Sequence, residues 1–364
     1  MKKKLGFGCM RLPERDSEID HDAFCKMVDY FIGEGFNYFD TAHGYHGGNS
    51  EIALRECLVK RYPRESFVLC DKLSTNFFEK EEEIRPFFEN QLEWCGVDYF
   101  DYYLMHAQDR NLYEKFMSCN AYDIAKELLS EGKIKHLGIS FHDKADVLER
   151  ILTEHPEIEI VQIQFNYVDY EDQSVESRKV YEVCRKFGKP VIVMEPVRGG
   201  SLVRIPDEAK VVFDALEGGS YASYAIRFAA GFEGVVMVLS GMGDIDMVKD
   251  NSSYMKDFKP LNEAEREAVD KVCSILTTKD LIPCTACNYC VDSCPVNIAI
   301  PDFFSCLNGK KRYNTWNSNY YYGIYTEKGS KASDCIECGA CEGLCPQHLE
   351  IRKLLKEVAD TFEK

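Results

Sequence analysis

The feature that most constrains this 364-residue chain is a cysteine pattern written twice. Cys284, Cys287, Cys290 and Cys294 precede Pro295, and Cys335, Cys338, Cys341 and Cys345 precede Pro346, so both runs read C-x-x-C-x-x-C-x-x-x-C-P. Three thiolates spaced by three let one curled loop reach three iron corners of a cube, while a fourth beside a proline sits at a helix start. Zinc is the competing ligand, but one tetrahedral ion needs four donors and not a doubled run of four. The chain has 17 cysteines, and their crowding between 284 and 345 marks a module separate from what precedes it.

On these motifs, residues 280–350 resemble a bacterial two-cluster ferredoxin, a small α+β domain with two 4Fe-4S clusters, and the domain with a C-terminal helix is assigned to 280–364. In that family the fourth cysteine of each run ligates the other run's cluster. The resemblance implies one set of Cys284, Cys287, Cys290 and Cys345, and another of Cys335, Cys338, Cys341 and Cys294. The stretch from Val296 to Asp334 is longer than in compact ferredoxins and carries Tyr313, Trp316, Tyr320, Tyr321, Tyr322 and Tyr325; it is expected to dock this domain on the rest of the chain. The other cysteines, Cys25, Cys57 and Cys184 among them, fall in helical patterns where a thiol acts as a small hydrophobe. Cys9, at a strand end, is the one to watch.

Before the cysteines, short apolar runs recur as LGFGC, NYFD, FVLC, DYYLM, HLGIS, IVQIQF, VIVM and VVMVLS. Helical patterns follow most of them, such as Phe24, Met27, Val28, Phe31 and Ile32, or Val147, Leu148, Ile151 and Leu152. Strand and helix alternating eight times in roughly 250 residues is the size of a closed parallel (β/α)8 barrel, with its chemistry at the carboxyl ends of the strands. An open doubly wound sheet is the alternative. Its phosphate turn needs a third glycine, and the first strand offers Gly6 and Gly8 followed by Arg11. The barrel is assigned to 1–260. A linking helix, capped by Asn262 with Glu265 three residues on, is assigned to 261–279. The acidic run at 79–83 reads as the solvated start of a helix whose Ile84, Phe87, Phe88 and Leu92 face inward.

Three consecutive strands end in ionisable groups: Asp40, Lys72 and His106, with Tyr45 five residues after Asp40. Singly each has a bland role, as a turn cap, a strand end or a satisfied ring. Together they form a chemical unit, because a lysine ammonium beside a phenol makes it a usable proton donor. GFNYFDTAHGYHGGNSE, DKL and YYLMH are similar to the aldo-keto reductase pattern over roughly residues 4–255. That resemblance implies Tyr45 as general acid, Lys72 and Asp40 as its tuning pair, His106 as the group orienting a carbonyl, and hydride transfer with a nicotinamide cofactor. It also implies cofactor contacts at Ser140, Gln162, Met194, Gly199, Gly200, Gly241, Asp250 and Asn251. Phe141 stands where the family pattern has asparagine. In SGMGDIDMVKDN, Lys249 alone faces Asp244, Asp246 and Asp250, and Gly241 and Met247 replace the basic residues of NADPH users. NADH is therefore expected over NADPH.

The 61 acidic against 44 basic residues give a formal charge of −17, which repels phosphate backbones and anionic headgroups. Nucleic acid and membranes are not expected as partners. The apolar run near the start stops at Arg11, too short for a signal-peptide core, and a cytoplasmic location is expected. Three functional readings stand open. The first is a nicotinamide-dependent oxidoreductase acting on a small-molecule carbonyl or alcohol, with an attached electron-transfer domain served by a redox partner protein or a flavin. The second is an electron-transfer or redox-sensing protein whose barrel binds nucleotide without turnover. The third is an isomerase or lyase that uses tightly held NAD.

Overall fold

The computed structural model describes residues 3–172, 175–216, 218–277, 281–282, 284, 288–313, 316–327, 329–345 and 347–364. Eight parallel strands close into a barrel: β1 (Leu5–Gly8), β2 (Tyr38–Asp40), β3 (Val68–Leu73), β4 (Phe100–Gln108), β5 (Ile134–Phe141), β6 (Ile160–Gln164), β7 (Val191–Met194) and β8 (Val235–Gly241). The spatial order follows the chain, and β8 pairs back onto β1 to complete the ring. Every strand read from the sequence is present, so the closed barrel and not the open sheet is the fold.

Helices separate the strands, beginning with α1 (His21–Gly33), α2 (Asn49–Leu54) and α3 (Glu81–Cys95). Asp20 caps α1 by accepting from the Ala23 N–H, and the buried side is Phe24, Met27, Val28 and Phe31. In α3 the acids Glu81, Glu82 and Glu83 occupy the first turn, where the helix dipole favours them, and Ile84, Phe87, Phe88 and Leu92 are buried. The main core therefore lies between strands and helices. A second cluster of Tyr38, Cys70, Leu104, Ile160, Ile192, Met237 and Leu239 fills the barrel interior.

Interior packing leaves no room for a side chain at Gly138. A Cβ there would lie 2.6 Å from Ile160 Cγ2 and 2.6 Å from Leu104 Cδ2, and 2.8 Å from the Ile160 carbonyl oxygen. These are distances at which something must shift, and one of the atoms is backbone.

The chain divides into two compact units, one of 1–203 with 214–269 and the other of 204–213 with 270–364. The segment Arg204–Phe213, which the sequence reading left in the barrel, groups with the second unit. The helix Glu263–Thr277 has the expected capping box: Asn262 Oδ1 accepts from the Glu265 N–H at 2.9 Å, and the Asn262 N–H donates to Glu265 Oε2 at 2.8 Å. The predicted end of this linker at 279 lies outside the described residues.

In the second unit the long aromatic stretch folds into helices Ile300–Tyr313 and Trp316–Glu327. Tyr322 is buried within that unit, stacked on Phe362 at 4.8 Å and tilted against Phe303 at 4.8 Å. Its ring supplies the unit's own core, an internal role the sequence reading did not foresee. The cysteine reading needs two corrections. Cys25 and Cys57 form a disulfide between α1 and the π-helical turn Arg55–Val59; helical periodicity in each segment gives no sign that their sulfurs face one another. Cys70 lies on β3, in keeping with the strand read at FVLC and not with the helical patterns given to the remaining cysteines. Among the described residues, no helix is long and apolar enough to cross a membrane.

Candidate active site and cysteine cavities

Strand register sets which side chains meet at the carboxyl mouth of the barrel. Gly8 pairs with Asp40 and Gly241, Asp40 with Cys70, Lys72 with Leu104, Ser140 with Gln162, and Gln164 with Met194. Side chains alternate along a strand. Since Cys70, Gly138 and Ile160 face inward, Lys72, Ser140 and Gln162 do so one layer nearer the mouth.

At the centre, Lys72 is fully buried, with Nζ 2.5 Å from Asp40 Oδ1, 2.6 Å from the Thr41 carbonyl oxygen and 3.4 Å from Tyr45 Oη. Burial pulls the lysine pKa down, but Asp40 and then Tyr45 and Cys70 outweigh it and the net shift is upward, so the ammonium is retained. Burial raises Tyr45, and Lys72 offsets part of that rise. Asp40 is held on its other oxygen by Gln162 Nε2 at 2.9 Å. In this geometry the amide expected to grip a nicotinamide carboxamide braces the carboxylate.

His106 stands edge-on to Tyr45, ring centroids 6.1 Å apart. Desolvation, followed by the charge on Lys72, pushes its pKa well down, so the imidazole is neutral. Ser74 Oγ lies 2.5 Å from its Nδ1 and so leaves Nε2 to face a ligand. The next residue, Ala107, has φ +54, unusual for a residue with a side chain, and its N–H donates to Ser140 Oγ at 2.7 Å. Ser140 thereby fixes the kink that aims His106.

Behind the tetrad lies a buried network that sequence reading missed. His43 Nδ1 is 2.6 Å from Glu51 Oε2, Gln91 Nε2 donates to Glu51 Oε1 at 3.2 Å and to the Lys72 carbonyl oxygen at 3.1 Å, and Tyr103 Oη donates to Gln91 Oε1 at 2.5 Å. Asp71 and Glu51 are both fully buried. Burial lifts Glu51 to about 7, and burial together with Glu51 lifts Asp71 well above the usual carboxylate range. Burial also lowers His43, so the ring favours its neutral form despite the ion-pair distance to Glu51. His43 and Glu51 lie in the GFNYFDTAHGYHGGNSE stretch, Asp71 in DKL and Tyr103 in YYLMH, but nothing local in those motifs joins them to one another.

His142 also escaped the sequence reading. Phe141, flagged there, is buried in the core, while the next residue, His142, is open to solvent. Protein packed around that ring, and then the charge on Lys72, favour its neutral form. Cys9 is buried, and burial and then Asp40 raise its pKa, the opposite of what a reactive thiol needs.

Around the mouth, Met194 is half-buried at the end of β7, and Gly199 and Gly200 follow with φ of 62 and 85, values a side chain would disfavour. Gly241 ends β8, and a Cβ there would meet Arg11 Cβ at 3.6 Å. An arginine from the loop after β1 thus stands beside the glycines after β8, with Nη1 4.0 Å from Glu195. Asp250 accepts from Ser220 Oγ at 2.6 Å, and Asn251 donates to Ser240 Oγ at 2.8 Å and accepts from Tyr254 Oη at 2.5 Å. Both are engaged within the barrel.

Two cavities in the second unit collect the motif cysteines. One is lined by Cys284, Cys290 and Cys345 with Ile300, Phe304 and Leu349. The other is lined by Cys294, Cys335, Cys338 and Cys341 with Ile298 and Leu355. In each, the fourth cysteine of one run joins the first cysteines of the other, in a pocket walled by apolar side chains. Cysteine sulfurs gathered against apolar side chains suit an iron-sulfur cluster. Cys287 lies outside the described residues.

A closed barrel with a lysine, aspartate, tyrosine and histidine gathered at its mouth defines the class of barrel oxidoreductases. Residues 4–274 match the aldo/keto reductase family and residues 283–350 a 4Fe-4S dicluster domain. The chain belongs to the aldo/keto reductase family. A probable aldo-keto reductase 1 of Glycine max is 28% identical over 208 residues, covering 54% of this chain and 56% of that protein. An NADH-specific methylglyoxal reductase of Escherichia coli is 29% identical over 208 residues, covering 52% of this chain and 59% of that protein. The matched region thus spans little more than half the length of these relatives. An aldo-keto reductase structure from Bacillus halodurans in its holo form aligns with a TM-score of 0.60 at 24% identity, covering 74% of this chain and 92% of that one. A Klebsiella pneumoniae aldo-keto reductase in complex with NADPH gives 0.58 at 19% identity over 75% and 95%.

Proposed function

We propose that this aldo/keto reductase interconverts a small-molecule carbonyl and its alcohol using a nicotinamide dinucleotide, and that Cys284, Cys287, Cys290, Cys345 and Cys335, Cys338, Cys341, Cys294 hold two 4Fe-4S clusters. The observation that carries the reading is the buried Lys72 ammonium, held between Asp40 and the Thr41 carbonyl with Tyr45 Oη at 3.4 Å. When bound, the nicotinamide supplies or accepts the hydride, and the clusters supply one-electron transfer.

The chain's own residues manage the proton. In reduction Tyr45 Oη gives its proton to the carbonyl oxygen as the carbonyl carbon gains hydride, which yields the alcohol. Lys72 then faces the phenolate and offsets its charge, while Asp40 and Gln162 keep the ammonium in place. Neutral His106, fixed through Nδ1 by Ser74, offers Nε2 to the same carbonyl oxygen and orients it. In alcohol oxidation the proton runs back to Tyr45.

NADH is the proposed dinucleotide over NADPH. Asp244 caps the helix after β8 and Lys249 is drawn to Asp246 at 3.7 Å, so that loop offers an extra phosphate little free positive charge. Arg11 reaches the same mouth but is opposed by Glu195. The Escherichia coli relative, described as NADH-specific, points the same way.

The test is anaerobic purification of the full chain, an assay of a carbonyl panel with each dinucleotide, and comparison with Tyr45→Phe. Deleting only the proton donor is expected to cost about 10²–10⁴-fold in turnover with dinucleotide affinity nearly unchanged. Turnover near wild type in that variant would remove Tyr45 from the reaction. Equal affinity for NADH and NADPH in a fluorescence titration would overturn the cofactor preference.

A further inference from the structure

The loop after β7 is bent in an unusual way, and one buried carboxylate holds it. Between Glu195 and Gly200 four residues have positive φ: Glu195 at 56, Arg198 at 49, Gly199 at 62 and Gly200 at 85. Two of them carry side chains, for which this conformation is disfavoured and persists only where the surroundings impose it. The surroundings here are residues of the neighbouring loop, after β6.

Asp169 is fully buried and accepts three hydrogen bonds, of which the one from Arg198 joins the two loops and the other two fix the carboxylate within its own. Arg198 Nε donates to its Oδ1 at 2.9 Å, while Gln164 Nε2 and Asn166 Nδ2 each donate to its Oδ2 at 2.7 Å. Asn166 also donates to the Glu195 carbonyl oxygen at 3.1 Å, which pins the other left-handed residue of the bend. Asn166 in turn accepts from the N–H groups of Val168 and Asp169, which fixes the loop that presents the carboxylate. A buried carboxylate with a guanidinium and two amides is a costly device, repaid only if every partner is satisfied. None of these groups belongs to the tetrad, and Asp169 lies 97 positions from Lys72 in the chain.

We propose that Asp169 is a positioning residue for the cofactor: through Arg198, and with Asn166, it presets the Glu195–Gly200 bend in the shape that receives the pyrophosphate bridge of the dinucleotide. The proposal rests on the reading of Gly199 and Gly200 as cofactor contacts. A preset loop loses less conformational freedom when the ligand arrives, and the gain appears in affinity and not in the chemical step. Asp169 itself touches neither phosphate nor reacting atoms.

The test uses the full, cluster-loaded chain and fluorescence titration with NADH, NADPH and reduced nicotinamide mononucleotide, which lacks the bridge and the adenosine half. Asp169→Ala is expected to weaken both dinucleotides tenfold or more, leave the mononucleotide within twofold, and keep kcat at saturating dinucleotide within about twofold. Asp169→Asn, which retains an acceptor for Arg198, should lose less and serves if the alanine variant does not fold. Arg198→Ala should mimic Asp169→Ala, and the double variant should bind no more weakly than the worse single one. Unchanged dinucleotide affinity, an equal loss for the mononucleotide, or additive losses in the double variant would overturn the proposal. A wild-type chain that binds neither dinucleotide would overturn the underlying reading as well, and the mononucleotide arm separates these two failures.

Discussion

At the residue scale, the tetrad and the network behind it respond to pH in different ways. Lys72 is raised and His106 lowered, so both keep one protonation state across the neutral range. Glu51 does not, because burial lifts it from the ordinary 4.5 to about 7. A folded-state pKa above the unfolded value means that the native protein binds the extra proton. Its contribution is fully present below about pH 4.5 and is lost as pH rises through about 7. Glu51→Gln, a neutral mimic of the protonated acid, is therefore expected to flatten the fall in Tm between pH 5 and 8. An unchanged slope would show that Asp71 or another group carries that titration.

At the element scale, the interior layer of Tyr38, Cys70, Leu104, Ile160, Ile192, Met237 and Leu239 sets how high the tetrad stands in the barrel. Gly138 on β5 abuts this layer. Gly138→Ala inserts a methyl against Leu104 and Ile160 at 2.6 Å each. Overpacking of this kind costs about 1–3 kcal/mol, to be read as a lower urea midpoint with unchanged m-value. Since Ser140 lies two residues along the same strand and fixes the Ala107 kink, the same variant is expected to lower turnover more than it weakens dinucleotide binding. An alanine variant as stable as wild type would mean that β5 shifts without cost.

At the scale of the whole molecule, the proposed function would join a two-electron site to one-electron centres. Hydride carries its electrons as a pair, whereas each iron-sulfur cluster passes one, and direct exchange lacks a group that can split the pair. NADH alone is therefore expected not to reduce the clusters of anaerobic, cluster-loaded protein. Low-temperature electron paramagnetic resonance after mixing with excess NADH measures this. A rapid reduced-cluster signal without added flavin or substrate would mean that the barrel holds a splitting cofactor.

The sequence by itself determined the eight strands, the (β/α)8 closure, the Asp40, Tyr45, Lys72 and His106 set, and the doubled cysteine motif. These are written in local signals: periodicity of two or 3.6, strand-end residues, and ligand spacing within one loop. Tertiary structure alone decided the rest, because the partners lie far apart in the chain. Ser74 meets His106 across adjacent strands, Gln162 meets Asp40 across the barrel interior, and Glu51 meets Asp71 only when α2 packs behind β3. Arg11 reaches the glycines after β8 because closure makes the first and last strands neighbours. Cys25 and Cys57 meet because α1 lies against the turn after α2. Side-chain direction within an element follows from its period, but what that side chain meets depends on which elements pack together, and no local pattern encodes that.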